Sequence, residues 1–194
     1  MIETHADVHA YFRERLLAVL ERHRLHAGPS TEFYLVELLS RQAAGSGPEM
    51  QRPLALALAE AVATEAPGER YQRFRALGDT ALLACGFFAE HCERRGVSRR
   101  YVSTLGRRAY RQARDLAPWS GKAALPEALD ELAEGFERFA VALDDLREST
   151  SLRTPQDIVR LYDRRRRSPS PVVAERLRAL GVFPQAGNER GTLH

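Results

Sequence analysis

Apolar residues recur at three- and four-residue steps along most of the chain, the period of helices that bury one face. In the first segment, from about Asp7 to Leu25, the stripe is Val8, Phe12, Leu16 and Val19, with Asp7 placed as an N-cap. Ala27-Gly28-Pro29-Ser30 ends that helix and caps a second, from about Thr31 to Ala43. Phe33, Leu35, Val36, Leu38 and Leu39 make the second segment apolar on more than one side, so it is expected near the centre. After the breaker Gly45-Ser46-Gly47-Pro48, an alanine- and leucine-rich third segment spans Pro53 to Glu65, with its proline in the first turn, where a missing N–H is harmless. Pro67-Gly68 precedes a fourth, expected from Glu69 to Arg95, with Tyr71, Phe74, Leu77, Ala81, Cys85, Phe88 and Cys92 on one face. Gly78 and Gly86 fall inside it, each about 1 kcal/mol worse than alanine in a helix. Close approach of a neighbouring backbone is the usual compensation, so tight helix contacts are expected there.

Gly96 and Ser98 mark a C-cap and the next N-cap, and a fifth segment, Arg99 to Leu116, buries Val102, Leu105, Ala109 and Ala113. Beyond the turn Pro118-Trp119-Ser120-Gly121 comes the most regular pattern in the chain. Leu125, Leu129, Leu132, Phe136, Phe139, Leu143 and Leu146 alternate four and three residues apart, a heptad seam that predicts one helix to about Glu148. Two short segments follow, Pro155 to about Arg166 and Pro171 to Leu180. No segment alternates with period two, so no sheet is predicted. The expected fold class is all-α: a single compact antiparallel bundle of about six main helices plus two short C-terminal helices. The bundle domain is 1–183, within which 154–183 can form a flap, and 184–194 is read as a flexible tail.

Composition changes this picture little. The 194 residues are 44% apolar and 28% charged, ordinary values for a globular chain long enough to bury a sizeable core. There is no run of about 18 apolar residues to span a membrane, and no basic-then-apolar leader at the N-terminus. Cys85 and Cys92, seven residues apart on one predicted helix, stand about 10 Å apart along its axis, too far for a disulfide. Reduced packing cysteines agree with a cytoplasmic setting.

Charge changes it more. The chain carries a net charge of +3 and a pI near 9.1, and Lys122 is its single lysine. High-GC codon usage produces such an arginine bias without functional meaning, although arginine forks also suit carboxylate or phosphate. Arg94, Arg95, Arg99, Arg100, Arg107, Arg108, Arg111 and Arg114 crowd the end of segment four and segment five. Segment six answers with Glu127, Asp130, Glu131, Glu134, Glu137, Asp144, Asp145 and Glu148, which the heptad assignment turns outward. If the two are antiparallel neighbours, the charges neutralise each other across a rim; otherwise they are opposed patches offered to other molecules. A second basic feature is the run Arg164, Arg165, Arg166 and Arg167 before Ser168-Pro169-Ser170-Pro171. A helix, a turn and a helix there resemble a helix-turn-helix, but the Ser-Pro turn is stiff and no aromatic residues interleave for single-stranded nucleic acid.

Candidate chemistry is sparse. There is no GxSxG, glycine-rich phosphate loop or HExxH, and no catalytic residue is assigned. His23, His26 and His91 with the two cysteines fall short of the paired ligand sets that zinc or di-iron sites use, so no metal and no cofactor is expected. Asp79 is the exception, a carboxylate within an apolar helix that needs a partner if buried. Tyr101, Tyr110, Arg107 and Arg108 of segment five are its candidate partners. A pocket near Asp79, Phe87, Phe88, Tyr101 and Tyr110 would bind a small ligand, whereas a structural buried pair would bind nothing.

The stretch Leu77-Gly78-Asp79-Thr80-Ala81-Leu82, then Gly86-Phe87-Phe88, then Ala109-Tyr110, with Leu161-Tyr162, Leu177 and Leu180-Gly181, resembles bacterial all-helical proteins of unknown function over roughly Phe33 to Phe183. The resemblance implies an all-helical fold and a packed unit of Gly78, Asp79, Gly86, Phe87, Phe88 and Tyr110, and carries no catalytic role.

The sequence therefore points to a non-enzymatic interaction or regulatory domain in a bacterial cytoplasm that presents an arginine-rich face, including Arg164 to Arg167, to a protein partner. Nucleic acid is the second reading, a ligand near Asp79 the third. No membrane association is expected, and the unbroken seam of segment six could serve a homodimer.

Overall fold

A computed structural model describes residues 2–46, 52–88, 97–119 and 125–149. Among the described residues it is an all-α bundle of seven helices with no strand. In chain order these are α1 (Ile2–Arg22), α2 (Pro29–Ala43), α3 (Leu54–Ala63), α4 (Pro67–Cys85), α5 (Arg99–Leu116) with a 3-10 turn at Ala117–Trp119, α6 (Pro126–Glu134) and α7 (Phe136–Ser149). The two short closing segments, the 154–183 flap, the 184–194 tail, Cys92 and Arg164 to Arg167 lie outside the described residues.

The apolar periodicity of the sequence becomes one core. Phe12 and Leu16 of α1, Leu35, Leu38 and Leu39 of α2, Leu77, Leu82 and Leu83 of α4, Tyr110 of α5, Leu129 of α6 and Phe136 and Phe139 of α7 are buried in it. Helix α4 packs most extensively on α5, which in turn lies on α6; α1 packs on α2 and α7, and α3 leans on α4. The seam of the sixth segment points inward as its spacing requires, with Leu129, Leu132, Phe136, Phe139, Leu143 and Leu146 all buried. The bundle's own core takes up that seam, so it is not an open surface.

The ends of the helices depart from the expectations in instructive ways. The sixth segment is two helices, divided at Gly135, whose φ of −90° and ψ of 12° leave the α region. The Phe139 ring lies against that glycine, 2.9 Å from where a Cβ would stand. Helix α4 ends at Cys85 with Gly86 as its C-cap, so Gly86 is not interior to it. Asp7 is inside α1, which begins at Ile2, and does not cap it. Arg24 ends α1 in the left-handed region at φ 48°, letting Leu25 N–H reach Leu20 O at 2.9 Å and Arg24 N–H reach Glu21 O at 3.0 Å.

Helix α2 begins with Gly28 as N-cap and Pro29 in its first turn, and Gly28 has no side chain to satisfy the open N–H groups. Glu131 of α6 supplies the missing acceptor. Its Oε2 accepts the Gly28 N–H at 2.9 Å and a short hydrogen bond from the Thr31 hydroxyl. Glu131 thus turns inward, against the outward orientation expected of the acidic residues on this segment.

Candidate functional site

Two features hold the chemistry-bearing residues of this fold, one buried and one exposed. The buried one centres on Asp79, in the middle of α4 with a side chain only 2% exposed. Tyr34 of α2 donates to its Oδ1 at 2.6 Å and Tyr110 of α5 donates to the same oxygen at 3.0 Å. Arg41, two turns beyond Tyr34 on α2, faces Oδ2 at 3.5 Å. Arg75, one turn before Asp79, adds a second favourable charge.

Burial pushes the Asp79 carboxyl above its ordinary value; the Tyr34 hydrogen bond, the charges of Arg75 and Arg41 and the Tyr110 hydrogen bond pull it back. Burial, then the Asp79 charge, pushes the Tyr110 hydroxyl well up, and Tyr34 responds in the same way. Both tyrosines are therefore firm donors at neutral pH, and Asp79 fastens α2, α4 and α5 at one point. Close packing leaves the group in place. A Cβ on Gly78 would stand 2.6 Å from the Tyr110 ring, and one on Gly106 of α5 would stand 2.5 Å from the Phe136 ring and 2.8 Å from Ala81 Cβ. The tight contact expected at Gly78 is thus an aromatic face against backbone.

Of the residues grouped with Asp79 from the sequence, the structure brings Tyr110 to it. Phe87 is buried and Phe88 half-buried, their ring centroids 6.4 Å apart. Tyr101 stands apart, 49% exposed on the outer side of α5. Arg107 turns to α6, where its Nε donates to Ala133 O at 3.2 Å, and Arg108 is exposed. Tyr34 and Arg41 were not foreseen, because nothing in α2 marks a hydroxyl or a guanidinium as facing a carboxylate far along the chain.

A cavity of about 540 Å³ between α1 and α2 is lined by His9, Arg13, Leu16, Leu17, Phe33 and Val36 among others. A smaller one of about 140 Å³ lies between α3 and α4, beside Arg52, Glu60 and Arg73. Neither includes Asp79, Tyr34 or Tyr110. Among the described residues no three histidine, cysteine, aspartate or glutamate side chains gather to hold a metal ion. His23 instead meets Asp145 at 3.0 Å, beside Arg22.

The exposed feature is the outer face of α5, a helix with six arginines and one aspartate. Arg100, Thr104, Arg108 and Arg111 recur at steps of four and three, all exposed, with Tyr101 beside them and the exposed Trp119 just beyond the helix end. Arg100 to Arg111 spans about 17 Å along the axis. No carboxylate among the described residues pairs with Arg99, Arg100, Arg108 or Arg111. The neighbouring face of α5 meets α6 and α7: Arg114 pairs with Asp130, and the Ser103 hydroxyl donates to Glu137 Oε1 at 3.4 Å. The expected neutralisation across a rim therefore occurs on one side of α5 and leaves the other side open.

Family models, curated proteins and solved structures yield no match to this chain. The reading of function rests on its own residues. No described helix is long and apolar enough to cross a membrane.

Proposed function

We propose that this chain is a non-enzymatic interaction domain of a bacterial cytoplasm, docking the exposed face of α5 onto an acidic surface of a protein partner. One observation carries the reading. Arg100, Arg108 and Arg111 form a regular exposed stripe without a described carboxylate to neutralise them, next to exposed Tyr101 and Trp119. Arginine, tyrosine and tryptophan are the residue types that dominate protein interfaces, because each joins apolar area to a polar handle.

The border of the stripe favours a protein over nucleic acid. Glu127, Glu134 and Glu137 are exposed on α6 and α7, alongside α5. A phosphate chain crossing the stripe would run into these carboxylates, whereas a protein surface of mixed charge can match both strips. The run Arg164 to Arg167 belongs to the same proposal as a second basic contact. A ligand at Asp79 would have to replace Tyr34 or Tyr110 on Oδ1, a displacement that docking at α5 does not require.

The test compares tagged protein with the variant R100E/R108E/R111E in recovering partners from its source cells. The expected result is a specific acidic partner lost with that variant and kept when Arg13 of α1 is reversed instead. Loss through reversal of Arg164 to Arg167 alone would move the contact off α5. A gel shift with duplex DNA or RNA that is present at low salt and falls steeply with added salt would replace the protein reading with the nucleic-acid one.

A further inference from the structure

The cavity of about 540 Å³ between α1 and α2 has the size of a small-molecule site. Its floor is Leu16 and Val36, both buried, and its lips are Leu17 and Phe33, exposed at 36% and 54%. Two of the lining residues carry full charges of opposite sign, the exposed Arg13 of α1 and the half-buried Glu32 of α2. No described residue forms an ion pair or a side-chain hydrogen bond with either, and the two do not meet each other. The other polar groups at this end of the bundle are already engaged. His9 is held by Glu37 at 3.2 Å, and the Gly28 N–H at the start of α2 is given to Glu131.

A charge that is covered without a partner is costly, so a molecule filling the cavity must answer both. A neutral apolar molecule would cover Arg13 and Glu32 and answer neither. An apolar carboxylate would suit Arg13 and be repelled by Glu32; an apolar amine would do the reverse. We infer that the cavity binds a zwitterion with an apolar body, an apolar amino acid or a short apolar peptide. Its carboxylate takes the Arg13 fork, its ammonium takes Glu32, and its side chain lies on Leu16, Val36 and the Phe33 ring. An aromatic side chain gains most, because Phe33 offers it a ring to pack against. The face of α5 takes no part in this site, which stands independently of docking there.

Calorimetric titration of the full-length chain tests this with L-phenylalanine and the dipeptide leucyl-phenylalanine. Phenylpropanoate and phenethylamine serve as the same body with one charge each. A ligand of about a dozen heavy atoms in an open cavity binds in the millimolar range, and both single-charge probes should bind at least about tenfold more weakly than phenylalanine. Arg13→Gln and Glu32→Gln should each weaken the zwitterions about tenfold, with circular dichroism unchanged, while Arg108→Gln leaves them as they are. Arg13→Gln should also improve phenethylamine, since the opposing guanidinium is gone, an effect that a distorted fold would not give. The tighter of the two zwitterions names the length that spans Arg13 and Glu32, the dipeptide for a peptide ligand and phenylalanine for a free amino acid. Three results would overturn the proposal: no binding of either zwitterion at tens of millimolar, phenylpropanoate bound as tightly as phenylalanine, or binding indifferent to both glutamine variants.

Discussion

The Tyr110 ring lies against Gly78, and its hydroxyl reaches Asp79, the very next residue of α4. Ring and hydroxyl are thus held by adjacent positions of one helix. Gly78→Ala gains about 1 kcal/mol of helix propensity but places a methyl 2.6 Å from the ring. The ring must move, at an overpacking cost of about 1–3 kcal/mol, and the bond to Asp79 weakens with it. We expect Gly78→Ala to destabilise the fold by about 2 kcal/mol in urea unfolding. Gly78→Ala combined with Tyr110→Phe should fall short of the sum of the two single effects.

Asp79 makes stability depend on pH in a definite direction. A carboxyl whose pKa is raised on folding holds its proton more tightly in the native chain than in the unfolded one. Its contribution therefore favours folding at acid pH and declines as pH rises from about 4, the ordinary carboxylate value, through the raised one. Asp79→Asn keeps an oxygen for both tyrosines and has no such decline. The stability of the unaltered protein relative to Asp79→Asn should fall between mildly acid and neutral pH, measured by paired urea titrations. A relative stability that rose over that interval would mean that the arginines outweigh burial. Asp79→Ala, which orphans both hydroxyls and removes the partner of Arg41, should cost about 3–5 kcal/mol.

The two tyrosines predict the alkaline limb. Both hydroxyls are pushed well above their ordinary value, so they keep their protons in the fold while the unfolded chain gives its own up at about pH 10. Stability should decline as pH rises beyond that point, and Tyr34→Phe or Tyr110→Phe should each flatten the decline. At neutral pH each substitution removes one of the two hydroxyl donors to Asp79 and should cost about 1–3 kcal/mol.

Arg24 offers a stabilising change. It closes α1 with φ at 48°, a conformation that costs an L residue about 1–2 kcal/mol and glycine almost nothing. The Arg24 backbone oxygen accepts from Arg138 at 3.2 Å, a bond that glycine preserves. Arg24→Gly should raise stability by about 1 kcal/mol, read as a higher melting temperature.

Much of the fold was legible because burial and periodicity are the same fact seen twice. The seam from Leu129 to Leu146 is buried where its spacing placed it. What the spacing missed is the break at Gly135, since a heptad count registers apolar positions and is blind to a glycine between them. Phe33 and Tyr34 show the converse limit. The apolar pattern includes Phe33 in a helix expected near the centre, yet Phe33 is exposed beside the α1–α2 cavity, while its neighbour Tyr34 turns inward to Asp79. In a segment apolar on several sides, hydrophobicity alone cannot say which of two adjacent aromatics faces in. Asp79 was readable as a buried carboxylate from its apolar surroundings, and Tyr110 as one of its partners. Tyr34 and Arg41 required the packing of α2 against α4, which no local pattern encodes.

Glu131 closes the first turn of α2 from about a hundred residues downstream. During synthesis, the helix that supplies Leu35, Leu38 and Leu39 to the core is complete long before that carboxylate leaves the ribosome. Its opening turn must wait, solvated and unfinished, until α6 emerges. The earliest-made half of this chain can therefore reach its final form only with help from the second-last of the described helices.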